Sequence, residues 1–422
     1  MFWSPPVDSL LIVASTERDR VILAGLVFAV LVSQVLLYPG IAALIGEFGI
    51  EGADDGLGLG AQFDAAMWFL AIEFLGYLTF VGIWGLASDR LGSRRWLIVF
   101  ASLGGAIGYL GMLVLATSLQ APFEVVLFVR FIQGAMTIGA LSLGMTMLMD
   151  LDGGHGRNMG AAGLAIGLGA FLGSGLGGIL TSVHPFAPLV TAAGLLLIVG
   201  LSTVLVIDRA PRRSGSIRRT IDEIVDTPVL SVPFAFGFID RFTAGFFALV
   251  GVFYFQQELG LGEIGTGMML SLFFLPFAIL QYPMGRLSDR IGRTYPIVLG
   301  SAMYGLAIIA VGQTDVILFA AIGMILVGVL GSLVSPATMA LVTDLSVETD
   351  RATSMSGFNF FGSLGFLGGF LVGGTASRIF GFEAGFLVAG GVEILLALVT
   401  IPLFLSLRRR GVIDVPRETS RS

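Results

Sequence analysis

The chain contains no cysteine and no lysine. The first absence excludes disulfides and thiolate chemistry. The second excludes a phosphate loop of the Gly-x-x-x-x-Gly-Lys kind, so ATP-driven work by this chain alone is not expected. Only two histidines are present, His155 and His184, and both are placed in connecting loops, so no metal cluster is expected. Charge is scarce as well, at 12% of residues, where an ordinary soluble domain carries about 25%. All 23 basic residues are arginines, and they form no face suited to nucleic acid. No soluble-enzyme motif is present, and no cofactor is implied.

What the chain has in abundance is apolar sequence. Hydrophobic residues make up 55% of its 422 positions, and the mean hydropathy is +0.94. A bilayer span needs roughly 20 mostly apolar residues. Twelve runs qualify, at about 21–46, 63–86, 96–117, 123–148, 159–181, 187–207, 230–255, 265–286, 295–313, 317–342, 355–377 and 384–407. The expected fold class is therefore an all-α membrane protein of twelve transmembrane helices. The early apolar piece, Leu10 to Ala14, is too short for a secretory signal and lacks a basic region before it. Span 1 is expected to direct insertion.

The arginines sort by side. Arg18 and Arg20 precede span 1. Arg90, Arg94 and Arg95 lie between spans 2 and 3, and Arg157 between 4 and 5. The centre of the chain holds Arg209, Arg212, Arg213, Arg218 and Arg219. Arg286, Arg290 and Arg293 lie between spans 8 and 9, Arg351 between 10 and 11, and Arg408 to Arg410, Arg417 and Arg421 after span 12. All of these fall on one face; Arg378 falls on the other, and Arg130 and Arg241 lie within spans. The opposite loops carry Glu47, Glu51, Asp54, Asp55, Glu258, Glu263 and Asp315. Positive loops stay in the cytoplasm. This predicts a multi-pass protein of the cell membrane with both termini cytoplasmic. The polar stretch 208–228 is the expected cytoplasmic linker, with a short surface helix over Ile217 to Val225. It divides the chain into six-span bundles at 1–207 and 229–422. The outer loop 47–62 is glycine-rich, acidic and expected to be irregular.

The two halves repeat. Gly85-Leu-Ala-Ser-Asp89-Arg90-Leu-Gly92 returns 200 residues later as Gly285-Arg-Leu-Ser-Asp289-Arg290-Ile-Gly292. At an offset of 194, Gly134 matches Gly328, Asp150 matches Asp344 and Arg157 matches Arg351. A fixed period marks a duplicated architecture, and duplicated halves are a common build for secondary transporters. Glycines in these turns allow tight backbone geometry and close helix approach. An arginine of the first turn can pair with Asp150 at the end of span 4, and Arg290 or Arg293 with Asp344. Each exposed pair contributes only about 0–1 kcal/mol, more in a network, which suits a contact that must open.

The two Gly-x-x-x-Asp-Arg-x-Gly turns resemble the cytoplasmic signature of the major facilitator superfamily. That family carries it between its helices 2 and 3 and again between 8 and 9, and the resemblance covers nearly the whole chain. The family has a basic residue after the second glycine. Here Ser93 stands there in the first copy, followed by Arg94 and Arg95, while Arg293 keeps the position in the second. The resemblance implies conformational gating by Gly85, Asp89, Arg90, Gly92, Arg94 and Asp150, and by Gly285, Asp289, Arg290, Gly292, Arg293 and Asp344. Arg130-Phe-Ile-Gln133-Gly134 is similar to the family's second signature, whose arginine is associated with proton transfer. The glycines of span 5, from Gly163 to Gly178, look like the run that marks antiporters, although Ser174 stands where the family has proline. Close helix packing accounts for the same glycines.

Charges inside spans cost about 2.5–3.5 kcal/mol each at mid-membrane and must face protein or water. Asp240 and Arg241 are adjacent in span 7. They either neutralise each other or, on the family's arrangement of helices 1, 4, 7 and 10 around a cavity, place Asp240 opposite Arg130. Glu73 lies mid-span in helix 2 and has Phe273 as its counterpart, so it is a candidate proton carrier or a structural hydrogen-bonding group. Glu393 lies in span 12, a peripheral helix in this architecture, where a packing role is expected. Further cavity candidates are Ser33, Gln34, Tyr38, Gln281, Tyr282 and Asn359, with Phe238, Phe242 and Phe246 as apolar lining. Proton-coupled export of a small organic or amphipathic compound by a monomer in the lipid bilayer is the expected function. Nutrient uptake by symport, or a non-transporting receptor or scaffold on the same fold, remain as alternatives.

The cysteine-free chain offers a direct check on topology. Single cysteines introduced at Ser93 and Thr294 are expected to react with an impermeant maleimide from the same side of the membrane; labelling from opposite sides would end the duplicated-bundle assignment.

Overall fold

A computed structural model describes residues 7–50, 60–152, 155–208, 228–346, 351–410 and 413 of the protein. Among the described residues the regular secondary structure is entirely helical. Among the described residues eleven helices are long and apolar enough to cross a membrane. They are Ala61–Leu91, Arg95–Leu119, Phe123–Met149, Gly160–Val183, Ala187–Leu205, Ser231–Gln257, Glu263–Ile291, Thr294–Gly312, Ile317–Leu345, Gly357–Phe380 and Phe382–Arg409. They overlie predicted spans 2 to 12 and keep those numbers below. Three contain π-helical turns, at Leu115–Leu119, Phe247–Gly251 and Gly369–Gly373.

Span 1 differs from its prediction. Its helix runs from Val7 to Val35 and then unwinds over residues 36–40. A separate short helix, Ile41–Glu47, completes the apolar run. Pro39 has no N–H to continue the helical ladder, so hydropathy alone overran the true end. The expected surface helix at Ile217 to Val225, residues 51–59 of the outer loop, and the side chains of Arg157 and Arg351 lie outside the described residues.

The chain forms two compact units, Met1–Ile50 with Ile72–Gly215, and Glu51–Ala71 with Ser216–Ser422. One division falls within the expected linker. The other cuts through span 2, whose first residues belong to the second unit. The packing explains this. Phe63 meets Phe253 edge-on at 4.9 Å, Asp64 lies 3.3 Å from Arg378, and Met67 presses on Gly374.

Each unit packs its helices in the same scheme. In the first, span 1 lies on spans 4, 5 and 6, and span 3 lies on spans 4 and 6. In the second, span 7 lies on spans 10, 11 and 12, and span 9 lies on spans 10 and 12. Small residues set the closest approaches. A Cβ added to Gly134 would sit 2.5 Å from the Glu73 carbonyl oxygen, and one added to Gly328 would sit 2.3 Å from that of Phe273. The matched glycines thus press on matched positions of spans 2 and 8. On span 5, Gly169, Gly173 and Gly177 meet Phe28, Val32 and Leu36 of span 1; on span 11, Gly365, Gly369 and Gly373 meet Phe238, Phe242 and Phe246 of span 7. The glycine run of span 5 is therefore a helix-packing surface, and span 11 carries its counterpart.

Replacing Gly134 or Gly328 by alanine is expected to destabilise the protein by about 1–3 kcal/mol, as over-packing does. Gly85→Ala, whose Cβ would meet nothing within 4 Å, is expected to change stability little. Denaturant unfolding in mixed micelles measures all three.

Candidate functional site

In the first unit, spans 1 to 4 bring polar groups together in an apolar surrounding. Glu73 of span 2 and Arg130 of span 4 are both 0% exposed. Their Oε2 and Nη2 atoms lie 2.6 Å apart. Arg130 Nη1 donates to Gln133 Oε1 at 2.6 Å, and Gln133 Nε2 donates to Thr137 Oγ1 at 2.7 Å. These span 4 residues lie three and four positions apart, on one helix face. The Tyr109 ring stands 5.6 Å from the Arg130 guanidinium, within cation–π range, and its hydroxyl donates to the Ser33 carbonyl at 3.2 Å. Gly134 lets span 2 close on span 4 at this level.

The cluster keeps unused hydrogen-bonding capacity. Glu73 Oε1, Tyr38 Oη and Tyr77 Oη are buried and make no hydrogen bond among the described residues. Buried polar groups are nearly always paired, so three such atoms together make this cluster a candidate site. Gln34, 4% exposed, lies on span 1 one turn before Tyr38. A carboxylate that shares one arginine, beside three tyrosines, can exchange a proton or a polar ligand without unfolding the surrounding helices.

The second unit holds Asp240, 7% exposed on span 7. Ser335 of span 10 lies near enough to act on its charge. Arg241 is half-buried and packs against Gly362 of span 11. Among the described residues Asp240 and Arg241 form no contact ion pair, because adjacent helical positions point about 100° apart. Arg241 nonetheless lies near enough for its charge to act on Asp240, a partial neutralisation without a contact pair. Arg130 binds Glu73 within its own unit.

The repeated turns are built alike. Gly92 and Gly292 have φ of 64° and 89°, and their N–H groups close on the carbonyls of Ser88 and Ser288 at 2.9 and 3.0 Å. Both are glycine caps in a conformation that other residues avoid. Arg94 pairs with Asp150 and donates to Ser88 Oγ at 3.2 Å. Arg293 pairs with Asp344 at 3.0 Å and Asp289 at 2.7 Å, and donates to Ser288 Oγ at 3.0 Å. Arg94 and Arg293 thus hold the same place, although they sit one position apart in their motifs. Burial works against the charge of Arg293, but its bonds to Asp344 and Asp289 outweigh burial and hold its pKa above the usual arginine value. Arg90, Arg290 and Asp89 form no ion pair among the described residues. Ser93 does not pair with Asp150. Together with the N–H groups of Arg94 and Arg95, it binds Asp208 at 2.7, 2.9 and 3.1 Å. Asp208 thereby caps span 3 from the far end of the first unit.

One expectation is corrected. Phe242 and Phe246 are buried in the glycine notches of span 11, with Phe238 packed beside them. They are knobs in a helix contact, because an aromatic ring fills the groove that glycine leaves. Tyr282 (74% exposed) and Asn359 (exposed) lie outside the buried clusters, an exposure compatible with lining an open cavity. The sequence reading missed Tyr77, Tyr109 and Thr137. Their signal was present, since tyrosine occurs only seven times in the chain and three of those rings converge on one ion pair.

Deleting one member of a buried ion pair strands the other charge. Glu73→Ala is expected to destabilise the protein by about 3–5 kcal/mol, and Glu73→Ala with Arg130→Met to recover most of that loss. Chemical unfolding of the two variants measures the difference.

Comparison with known proteins accords with this geometry. The family model of the Major Facilitator Superfamily matches residues 22–254 and again 234–421. An uncharacterised MFS-type transporter of Methanocaldococcus jannaschii is 28% identical over 156 residues, 37% of this chain and 40% of that protein. The inner membrane transport protein YajR of Escherichia coli is 37% identical over 100 residues, 23% of this chain and 21% of that protein. The alignments therefore span less than half of either curated relative. A crystal structure of a bacterial homologue of the human lysosomal transporter Spinster, inward-facing and unoccupied, superposes with a TM-score of 0.75 at 13% identity, covering 95% of this chain and 99% of that one. A family model that matches both halves, over helices of this length and apolarity, makes the chain a member of the Major Facilitator Superfamily and a multi-pass membrane protein.

Proposed function

We propose that the protein is a proton-coupled exporter of a small organic or amphipathic compound, working by alternating access. In this reading twelve spans form two six-helix halves, 1–207 and 229–422, and the helix Val7–Val35 supplies the first. Both termini are cytoplasmic, the membrane is the cell membrane, and the working unit is a monomer. The one observation that carries the coupling is the Glu73–Arg130 pair, fully buried and joined to Gln133.

The chemistry is a charge exchange. With Glu73 ionised, the pair is neutral overall. A proton on Glu73 removes that attraction and leaves the Arg130 charge to Gln133, the Tyr109 ring and whatever enters the site. A lone charge in a low-dielectric interior is strongly disfavoured, so protonation and ligand entry shift the balance between conformations. The paired turns at Arg94–Asp150 and Arg293–Asp344 are the contacts that such a shift makes and breaks; networks of this kind are weak enough to open. Outward transport is supported by the likeness of the span 5 glycine run to the antiporter signature.

Reconstituted vesicles test this. Once thermal shift has found a compound that binds, a proton gradient is expected to drive it in the direction opposite to proton flow. Glu73→Gln should abolish the gradient-driven component and leave substrate exchange between equal pH compartments. Movement of compound and proton in the same direction would assign uptake by symport. No flux, with a stable crosslinked partner, would assign a receptor or scaffold.

A further inference from the structure

The second unit contains an acid without a counter-charge. Glu393 lies midway along span 12 and is 0% exposed. Neither carboxyl oxygen makes a hydrogen bond among the described residues. It does not face lipid: spans 9 and 12 cross at a glycine pair, where a Cβ on Gly305 would lie 2.4 Å from the Gly390 carbonyl oxygen and one on Gly390 would lie 2.3 Å from that of Gly305. The same crossing brings the Glu393 side chain against span 9, its Cβ 3.2 Å from the point where a Gly305 Cβ would stand.

Span 9 answers with two hydroxyls, Ser301 and Tyr304, both 0% exposed. Neither makes a hydrogen bond among the described residues, although Ser301 is near enough to act on the Glu393 charge. Tyr304 is within electrostatic reach of Glu393 and Asp240 alike. Its Oη points at span 10, 3.4 Å from where a Gly331 Cβ would lie. Ser335, near enough to act on the Asp240 charge, follows one helical turn later on that span. Of the neighbouring arginines, Arg241 packs on Gly362 and acts on the Asp240 charge, and Arg378 pairs with Asp64.

We propose that Glu393, with Tyr304 and Asp240, forms a second proton-binding site inside the second unit. An ionised carboxylate with no counter-charge is not tolerated in an apolar interior, so the carboxyl needs a proton to remain where it is. Asp240 keeps a small exposed edge (7%) and is the entry. A proton taken up by Glu393 turns its carboxylate into the neutral acid and is given back unchanged when it leaves, so nothing else is consumed. The use of this site in transport rests on the proton-coupled function proposed above; its binding of a proton does not.

Infrared difference spectroscopy of the full-length protein in lipid vesicles, titrated in pH, tests the site without any substrate. A carboxylic C=O band that falls as pH rises is expected. Glu393→Gln should delete it, Glu393→Asp should shift it, and Asp240→Asn should alter its titration. Glu73→Gln should leave it in place, which separates this site from that of the first unit. A Glu393→Gln spectrum matching the wild type at every pH would overturn the proposal. So would a Glu393 band that never titrates while the protein stays folded, since that acid would be a fixed packing group.

Discussion

A charge in the middle of an apolar helix has no water to turn to, so its neighbours must supply the compensation. Arg130 is such a charge, and the first unit is arranged around it. Glu73 neutralises it, Gln133 takes a second nitrogen, and the Tyr109 ring covers its face. Those partners come from spans 2, 3 and 4, which must approach closely enough to deliver short side chains. Gly134 allows this by giving span 2 the room that any Cβ would take. Charge compensation and glycine-mediated packing are thus one constraint: without the close approach there is no ion pair, and without the ion pair the arginine does not belong in the span.

The second unit keeps the packing and changes the chemistry. Gly328 touches span 8 as Gly134 touches span 2, but the residue met there is Phe273 and not an acid. The buried acids described in this unit, Asp240 and Glu393, sit on spans 7 and 12 near hydroxyls. Duplication preserved the helix contacts, because backbone approach depends on glycines that few other residues can replace. It did not preserve the buried charges, which serve each unit differently. The arginine-rich turns fall between these extremes. Ser88, Arg94 and Asp150 are reproduced by Ser288, Arg293 and Asp344 even though the arginine slips by one position. A long, flexible guanidinium side chain tolerates that slip.

Much was legible in the order of residues alone. The long apolar runs and the recurrence of Gly85 to Gly92 at Gly285 to Gly292 mark an all-helical membrane protein of this family. These signals are local and additive: hydropathy is a property of a window, and a repeat is visible to inspection. Arg130, Glu73 and Asp240 were identifiable for the same reason, since a charge in such a run stands out against its neighbours.

Partnership was not legible. Whether Glu73 meets Arg130, whether Arg94 or Arg95 takes Asp150, and whether Phe242 lines a pocket or fills a glycine notch all depend on helix rotation. One residue of rotation turns a side chain by about 100°, and apolar helices all round give little indication of which face is buried. The first span shows the same limit, because an apolar count cannot see that Pro39 ends the helix early. Composition and spacing determined that this chain is a duplicated set of membrane helices carrying a few costly charges. Only the tertiary packing decided which charges meet, because that is set by glycine contacts between residues distant in the chain.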